Sequence, residues 1–307
     1  MTSTRATALL TGASRGIGPY IARSLADAGY NLVLASRSGP QLETVANELR
    51  ASGTAAMPVV TDLSDLDSLD LLVGAAEREY GGVDVLVNNA GGDPQREFDE
   101  MSWAENEDIV ALNLLAPMRL ALRLLPGMLQ RHQGHIVNIS SLAGRIGFPY
   151  TEAYAAAKDG LIGFTRVLRS DYRSRGVSAS VLVLGAIRDA GQGQRTSDEL
   201  GLKMPRYITS PASAVGKAIV TAIRKDRAEI VVMPGPSRLM KALMDLFPSV
   251  GPTMNERAGA AELMRKGDRS PSGKVYPDAR LEGEHLSPRV APCVHGTKLD
   301  AGRPFLS

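Results

Sequence analysis

Cysteine is nearly absent from this sequence: Cys293 is the only one among 307 residues. A lone thiol cannot close an intramolecular disulfide, so the class of small secreted proteins held together by disulfides is excluded. The four histidines show no spacing typical of metal ligands, which predicts a protein without a bound metal. These absences indicate a reducing compartment.

Long apolar runs and an excess of charge of one sign are also lacking. No stretch of about 18 consecutive apolar residues is present, as a membrane-spanning helix would need. The N-terminal residues reach a glycine turn before a signal-peptide core could form. With 35 basic and 33 acidic residues, the formal charge of +2 implies no strong field toward nucleic acid or a membrane surface. We therefore expect a cytoplasmic protein that has no integral membrane segment and binds no nucleic acid.

The sequence does contain a regular alternation of apolar runs and amphipathic segments. The apolar runs have the length of buried strands, and they cover residues 6–10, 31–35, 56–60, 83–87, 135–139, 177–184 and 229–233. The segments between them have helical spacing, and they cover residues 17–28, 40–51, 65–80, 102–131, 153–174 and 211–225. Repeated βα units with right-handed crossovers predict an α/β fold, a doubly wound parallel sheet (Rossmann fold) of about seven strands with helices on both faces.

A glycine-rich turn joins the first predicted strand to the first predicted helix. Residues 11–18 read Thr-Gly-Ala-Ser-Arg-Gly-Ile-Gly. Glycine allows the tight turn and the close approach of the backbone to a pyrophosphate, whose charge the amides and dipole of a helix N-terminus then stabilise. Its place in the first βα unit favours a nucleotide-binding turn over a purely structural one.

A tyrosine and a lysine four residues apart lie in a predicted helix. Tyr154 and Lys158 would share one helix face, where an ammonium beside the phenol favours phenolate and lowers a pKa that starts near 10. Ser141 follows a predicted strand, at the edge where open α/β sheets bind ligands. Alone, such a pair is more often a packed ring and a solvated amine. The rest of the chain favours a catalytic interpretation, with Tyr154 as general acid/base.

Five motifs occur in the same order as in the compact short-chain dehydrogenase/reductase family. Within that family the chain resembles the members that are similar to 3-oxoacyl-carrier-protein reductase. The motifs are the glycine turn, Asp62 after the third strand, the run Asn88 to Gly91 after the fourth, Asn113 in a long helix, and Ser141 with Tyr154 and Lys158. The resemblance covers about residues 5–235. It implies that the catalytic set is Asn113, Ser141, Tyr154 and Lys158.

The resemblance also implies individual roles. Ser141 would hydrogen-bond the substrate oxygen, and Tyr154 would give or take its proton. Lys158 would lower the pKa of Tyr154 and hold the nicotinamide ribose, while Asn113 would position a relay water. The implied cofactor-binding residues are Gly12, Ser14, Arg15, Gly16, Ile17, Gly18, Arg37, Asp62, Leu63, Asn89, Ala90, Gly91, Tyr154, Lys158 and Ile187.

NADP is predicted over NAD. NAD-binding proteins usually place an acid after the second strand, whereas the extra phosphate of NADP needs cations. Here that strand is followed by Arg37, and Arg15 lies inside the glycine turn, so two guanidiniums could bind the phosphate in forked fashion. The alternative is that both arginines are solvated surface residues, which leaves Ser36 compatible with either cofactor.

The sequence departs from the family pattern after the sixth strand. The family has Pro-Gly and a later Thr near the nicotinamide amide, whereas this chain has Leu184, Gly185 and Asp189. Ile187 could still offer its backbone to the carboxamide, but an ionised Asp189 only accepts hydrogen bonds. The segment 188–210 that follows resembles a substrate lid, and its cations Arg188, Arg195, Lys203 and Arg206 are expected to be solvated rather than to bind an acidic group.

The sequence divides into three parts. Residues 1–236 are predicted to form the dinucleotide-binding and catalytic domain, 237–250 an apolar C-terminal helix, and 251–307 a polar, flexible tail. The apolar face of the helix should be covered by its own domain or a partner rather than by a membrane surface.

The predicted function is NADP(H)-dependent hydride transfer between nicotinamide and a carbonyl or secondary alcohol. By family resemblance we expect a homodimer or homotetramer acting on a small molecule. The alternative from another class is a non-catalytic nucleotide-binding scaffold or redox sensor on the same fold, against which the complete catalytic set argues. An extended-type epimerase or dehydratase would need a Thr-Gly-x-x-Gly-x-x-Gly spacing, which this chain lacks.

Overall fold

A single parallel sheet forms the centre of the fold. The computed structural model describes residues 5–191, 194, 206–247 and 249–257. The strands are β1 (Thr7–Thr11), β2 (Asn31–Ser36), β3 (Ala56–Val60), β4 (Val85–Asn88), β5 (Gly134–Ser141), β6 (Val177–Leu184), β7 (Ile187–Arg188), β8 (Ser210–Pro211) and β9 (Glu229–Val232). Seven of them pair in the order β3-β2-β1-β4-β5-β6-β9, and every pairing is parallel. The predicted doubly wound sheet is confirmed.

Helices cover both faces of the sheet. They are α1 (Gly18–Asp27), α2 (Gly39–Ala51), α3 (Ser68–Tyr80), α4 (Trp103–Val110), α5 (Ala116–Gln130), α6 (Ala143–Ile146), α7 (Glu152–Tyr172), α8 (Ala212–Arg224), α9 (Ser237–Leu246) and α10 (Val250–Arg257). The strand order reverses between β1 and β4, because the chain crosses from β3 back over the sheet. Ligands of open α/β sheets bind at such a switch point, outside the carboxyl ends of the strands.

The core is divided by the sheet into two apolar layers. Successive strand residues point to opposite faces, so Leu9 contributes to one layer and Leu10 to the other. The layer that contains Leu10 is completed by α1, α2 and α8, and the layer that contains Leu9 by α3, α5 and α7. Burial on both faces explains why the strands are near-continuous apolar runs rather than alternating ones.

One helical stretch of the described chain, Trp103–Gln130, is long and apolar enough to span a membrane by length and composition alone. Within it, Leu120, Leu124 and Met128 are buried in the layer that covers the sheet. This burial is typical of a core helix, and a core helix can also meet the length and composition criteria for a membrane span.

Two helices follow the last strand. In α9, Lys241 and Met244 are buried, whereas Leu239, Leu243 and Leu246 are exposed. The start of α9 coincides with the predicted domain boundary at residue 236, and the division into domains stays a prediction. Helix α10 occupies the first part of the predicted tail, 251–307, which was expected to be flexible, and the rest of that tail, from residue 258 onward, lies outside the described residues.

Candidate active site

The glycine turn lies between the end of β1 and the start of α1, at the switch point. Gly12 and Gly16 have φ angles of 65° and 62°, a region that disfavours residues with a side chain. A Cβ added to Gly12 would lie 2.9 Å from Cα of Ala90, and one added to Gly18 would lie 2.1 Å from the carbonyl oxygen of Gly12. The turn can therefore pack this tightly only with glycine at these positions, as the sequence predicted.

Hydrogen bonds attach this turn to the end of β4. The Oγ1 atom of Thr11 accepts from the backbone N–H groups of Asn89 and Ala90, at 3.0 and 3.1 Å. The side-chain amide of Asn89 donates to the carbonyl oxygens of Thr11 and Gly12, at 2.9 and 3.1 Å. The predicted cofactor residues of the first and fourth βα connections are thus brought together.

The carboxyl edge of the sheet has features that a dinucleotide needs. The buried Oδ1 atom of Asn89 and the buried Oγ atom of Ser36, which ends β2, have no hydrogen-bond partner among the described residues. Buried polar atoms are normally satisfied, so such atoms at a ligand-binding edge indicate groups that a ligand completes. Together with the glycine cradle, these residues fit the nucleotide that the sequence predicted.

Tyr154 and Lys158 lie on the first two turns of α7, facing the end of β5. The Nζ atom of Lys158 is 5.5 Å from the centroid of the Tyr154 ring and donates to the carbonyl oxygen of Ile139 at 3.0 Å. Only 3% of Lys158 is exposed, and burial lowers its pKa to about 8. The amine is thus held next to the phenol, and its burial works against its positive charge.

Asn113 lies in a π-helical segment, Ala111–Leu115, which interrupts the long helix that the sequence predicted as continuous. Its side-chain amide donates to the carbonyl oxygens of Ile109 and Gly92, at 2.8 and 2.9 Å, and its Oδ1 accepts from the N–H of Gly92 at 3.2 Å. Single-turn π segments are frequent at functional sites. Both amide donors are used within the protein, so the contacts of Asn113 hold the backbone after β4.

Gly91 is packed between members of the predicted catalytic set. A Cβ added there would lie 2.6 Å from Oδ1 of Asn113 and 3.0 Å from Nζ of Lys158. Gly91 has an ordinary φ, so its backbone would accept any residue. A larger side chain at this position is instead excluded by Asn113 and Lys158. The loop after β4 and helix α7 are therefore in direct contact.

Ser141 ends β5, and its hydroxyl lies at the carboxyl edge of the sheet, as predicted. Its Oγ accepts from the backbone N–H of Ala143 at 3.1 Å, the first residue of α6. Its neighbour Ser140 points to the opposite side and donates to the carbonyl oxygen of Lys158 at 2.8 Å. Two consecutive serines thus make different contacts, since Ser141 bonds to the start of α6 and Ser140 joins β5 to α7.

A buried polar chain beneath the site was missed by the sequence analysis. The Nδ2 atom of Asn88 donates to Oδ1 of Asn138 at 2.8 Å, and Nδ2 of Asn138 donates to Oγ1 of Thr165 at 2.8 Å. These bonds join β4, β5 and α7 below the Tyr154/Lys158 pair. The signal in the sequence was an asparagine inside an apolar strand, which needs a partner when it is buried.

Asp93 is a second residue that the sequence analysis missed. Its side chain follows the Asn89 to Gly91 loop and is only 3% exposed. Burial raises the pKa of Asp93 to about 7, the backbone N–H of Gln95 opposes this rise, and the carboxylate of Glu152 adds to it. An acid residue directly after a glycine-rich loop was the available signal, although its burial was not evident from the sequence.

The remaining predicted residues lie around the cofactor edge. Arg15 and Arg37 are exposed, one in the glycine turn and one directly after β2. Asp62 is exposed after β3, where its Oδ1 accepts from the N–H of Ser64 at 2.9 Å, and Leu63 beside it is buried. The structure therefore places all four residues at the carboxyl edge of the sheet.

The base of the predicted lid is closed by two short strands. Ile187 is buried in β7, which pairs in parallel with β8. Arg188 donates to the carbonyl oxygen of Thr209 at 2.5 Å, and Asp189 has a left-handed φ of 71°. Of the other lid cations, Arg206 is exposed, while Arg195 and Lys203 lie outside the described residues.

These features place the protein in the class of α/β oxidoreductases that bind a dinucleotide at the carboxyl edge of a parallel sheet. Within that class it belongs to the short chain dehydrogenase family, whose sequence profile matches residues 6–200. The family resemblance drawn from the five motifs is thereby confirmed.

Individual relatives agree with this assignment. The chain is 38% identical over 259 residues to ketoacyl reductase HetN of Nostoc sp., covering 83% of this chain and 88% of that protein. It is 34% identical over 202 residues to the 3-oxoacyl-(acyl-carrier-protein) reductase FabG of Staphylococcus aureus, covering 66% of this chain and 82% of FabG.

Solved structures share the fold. A metagenomic short-chain oxidoreductase in complex with NADP is 33% identical, with a TM-score of 0.63, and the match covers 75% of this chain and 97% of that one. A variant of the actinorhodin polyketide ketoreductase with NADPH is 28% identical, with a TM-score of 0.69, and the match covers 76% of this chain and 97% of that one.

Proposed function

We propose that this protein is an NADP(H)-dependent oxidoreductase that transfers a hydride between the nicotinamide ring and a carbonyl or secondary alcohol. The observation that supports this most strongly is the buried Lys158, whose Nζ lies 5.5 Å from the ring centroid of Tyr154 at the ligand-binding edge of the sheet. A surface tyrosine and a solvated lysine would not need this burial, which removes hydration from a charged amine.

In carbonyl reduction, Tyr154 donates its phenolic proton to the substrate oxygen, and in alcohol oxidation it accepts that proton. The adjacent Lys158 cation stabilises the phenolate that remains after donation. The Ser141 Oγ accepts from Ala143, which leaves its own proton to be donated to the substrate oxygen. The bound nicotinamide would supply the hydride in carbonyl reduction and accept it in alcohol oxidation.

Asn113 acts through the backbone in this proposal. Its amide holds Gly92, and Gly91 lies against both Asn113 and Lys158. Asn113 thus positions the loop that would contact the cofactor and the lysine that would hold the nicotinamide ribose. This role does not require Asn113 to touch the substrate.

The same edge would hold the rest of the cofactor. The amides of the glycine turn and the N-terminus of α1 would bind the pyrophosphate. Asp62 and Leu63 would contact the adenine, and Asn89 would line the cofactor at its ribose. The backbone of Ile187 would face the nicotinamide carboxamide.

We expect the cofactor preference to depend on Arg15 and Arg37. Replacing both with alanine should weaken NADPH binding far more than NADH binding. If each charge-assisted bond contributes about 1.5–3 kcal/mol, the preference should move by at least an order of magnitude. Fluorescence titration of both cofactors measures this, with Arg123→Ala as the matched control, since Arg123 pairs with Asp70 on the surface. An equal loss for both cofactors would refute the role.

The names of the relatives suggest ketoacyl compounds as the substrate class. The test of the proposed function offers the enzyme acetoacetyl-CoA or ethyl acetoacetate as the carbonyl substrate. The oxidation of NADPH is then monitored by its nicotinamide absorbance. We expect turnover with at least one such carbonyl. Binding of NADPH without turnover on a broad panel of ketones and alcohols would instead favour the nucleotide-binding scaffold.

Assembly and location also belong to this proposal. Leu115, Met118 and Leu122 form an exposed apolar stripe at the start of α5, and Val167 is exposed on α7. Such a stripe supports a homodimer or homotetramer. The single cysteine and the burial of the apolar α5 face against the sheet support a cytoplasmic location.

A further inference from the structure

The short helix α6 carries an arginine that contacts helices on two sides. The Nε atom of Arg145 lies 2.8 Å from Oδ1 of Asp159 on α7 and 3.9 Å from Oδ1 of Asp245 on α9. Asp159 directly follows Lys158 in the sequence. With a side chain that is 23% exposed, Arg145 makes these pairs in surroundings that are only partly screened by water.

Helix α6 also determines where the hydroxyl of Ser141 points. The N–H of Ala143, the first residue of α6, donates to Oγ of Ser141 at 3.1 Å. Against α7 the helix has little room to move, since a Cβ added to Gly144 would lie 3.1 Å from the carbonyl oxygen of Ala155. A shift of α6 would therefore carry the Ser141 hydroxyl with it.

The C-terminal helices confine α6 from the other side. A Cβ added to Gly251 would lie 2.7 Å from Cα of Ile146, and one added to Gly147 would lie 3.1 Å from Pro252. These contacts bring α10 against the end of α6. Both C-terminal helices lie beyond residues 6–200, the part of the chain that the family profile matches.

A series of ion pairs links α6 to the edge of the sheet. Asp245, which faces Arg145, also pairs with Lys241 at 2.7 Å, and Lys241 reaches Glu229 of β9 at 3.2 Å. Lys241 is buried between these two partly exposed carboxylates. Charge on α6 is thus coupled both to the catalytic helix and to the last strand.

We propose that Arg145 is a positioning residue: by pairing with Asp159 and Asp245 it fixes α6, and with it the Ser141 hydroxyl, relative to Tyr154. The inference rests on the proposed function. It makes α9 part of the active-site structure, although α9 lies outside the family profile. Misplacing a catalytic group by about 1 Å can cost 10²-fold in rate, whereas partly exposed ion pairs contribute only about 0–1 kcal/mol to stability.

The character of the Arg145–Asp159 contact indicates how to test it. Neither Nε of Arg145 nor Oδ1 of Asp159 makes a directed hydrogen bond in the described structure, despite their 2.8 Å separation. The interaction is therefore one of charge rather than of forked geometry, so lysine should replace arginine in part.

The experiment compares Arg145→Met with Arg145→Lys in NADPH-dependent reduction of acetoacetyl-CoA. We expect Arg145→Met to lower kcat by up to roughly 5-fold for each of the two ion pairs that it removes, with the KM for NADPH nearly unchanged, and Arg145→Lys to recover most of the loss. Asp245→Asn should lower kcat in the same direction and by less, because its contact is longer. The control is Arg23→Met, which removes an exposed pair with Glu48 and should leave kcat unchanged.

A double-mutant cycle with Ser141→Ala separates positioning from general destabilisation. If Arg145 acts through the Ser141 hydroxyl, Arg145→Met should cause little further loss in a Ser141→Ala enzyme. Additive losses, or a lower melting temperature with unchanged kcat for the folded enzyme, would overturn the inference. Tyr154→Phe is measured alongside. If Tyr154→Phe retains turnover, the proposed function is refuted. If Tyr154→Phe loses turnover while Arg145→Met keeps wild-type kcat, this inference alone is refuted.

Discussion

A Tyr154→Phe enzyme is expected to lose turnover by roughly 10²–10⁴-fold, the usual contribution of a general acid/base. Only the phenolic hydroxyl is removed, and the ring that faces Lys158 at 5.5 Å stays in place. NADPH should therefore still bind with nearly its original affinity. The measurement is NADPH oxidation under saturating acetoacetyl-CoA, together with a cofactor titration of the same preparation.

The matched control is Tyr172→Phe, at the opposite end of the same helix. Tyr172 lies under the guanidinium of Arg175, whose Cζ is 5.3 Å from the ring centroid. Tyr172 is half-buried against the core, and Tyr172→Phe keeps its ring, so turnover should stay within about twofold of wild type. Turnover of Tyr154→Phe within tenfold of wild type would show that another group transfers the proton.

Much of the fold was predictable because its signals are local. Strands buried on both faces are continuous apolar runs, so the run at residues 177–184 matched β6 residue for residue. The glycine turn was predictable for a similar reason, because the backbone geometry at Gly12 and Gly16 requires glycine. Helix α7 was predictable from an Ala-rich stretch without proline, whereas the interpretation of Tyr154 and Lys158 as a catalytic pair needed the other motifs of the chain.

The features that the sequence did not reveal depend on contacts between distant parts of the chain. At the π-helical turn the amide of Asn113 bridges the carbonyl oxygens of Ile109 and Gly92. The helical periodicity of the sequence does not indicate such a bridge. The burial of Asp93 likewise depends on how the loop after β4 folds back. The spacing of apolar residues along the chain predicts helices and strands. The burial of a polar side chain depends instead on the residues that pack over it, which are distant in the sequence.

The C-terminal helices illustrate the same limit. The apolar residues of α9 predicted a face covered by its own domain or by a partner. Within the chain Met244 and Lys241 are buried and Leu239, Leu243 and Leu246 are exposed, so cover of the exposed residues by a partner stays a prediction. Lys241 can be buried because Glu229 and Asp245 both pair with it, and neither partner was evident from a helical pattern. Composition therefore indicated a helix but did not indicate which of its faces would be buried.

Replacing Gly91 with alanine is expected to lower kcat/KM by about 10²-fold or more, because two functional side chains would have to move. The added Cβ would lie 2.6 Å from Oδ1 of Asn113 and 3.0 Å from Nζ of Lys158. Asn113 is held by Gly92, and Lys158 by the carbonyl oxygen of Ile139, so neither can yield without losing a hydrogen bond. The measurements are steady-state kinetics with NADPH and a thermal melt.

Gly74→Ala is the control that distinguishes this effect from a general cost of replacing glycine. Gly74 lies inside α3, where an added Cβ meets only the mobile tip of Arg78, at 3.2 Å. Since alanine in a helix interior is favoured over glycine by roughly 0.5–1 kcal/mol, Gly74→Ala should keep full activity and melt at an equal or higher temperature. The Gly91→Ala protein should also remain folded, because overpacking costs typically about 1–3 kcal/mol. A folded Gly91→Ala enzyme with wild-type kcat/KM would show that contact between the β4 loop and the catalytic helix does not position Lys158.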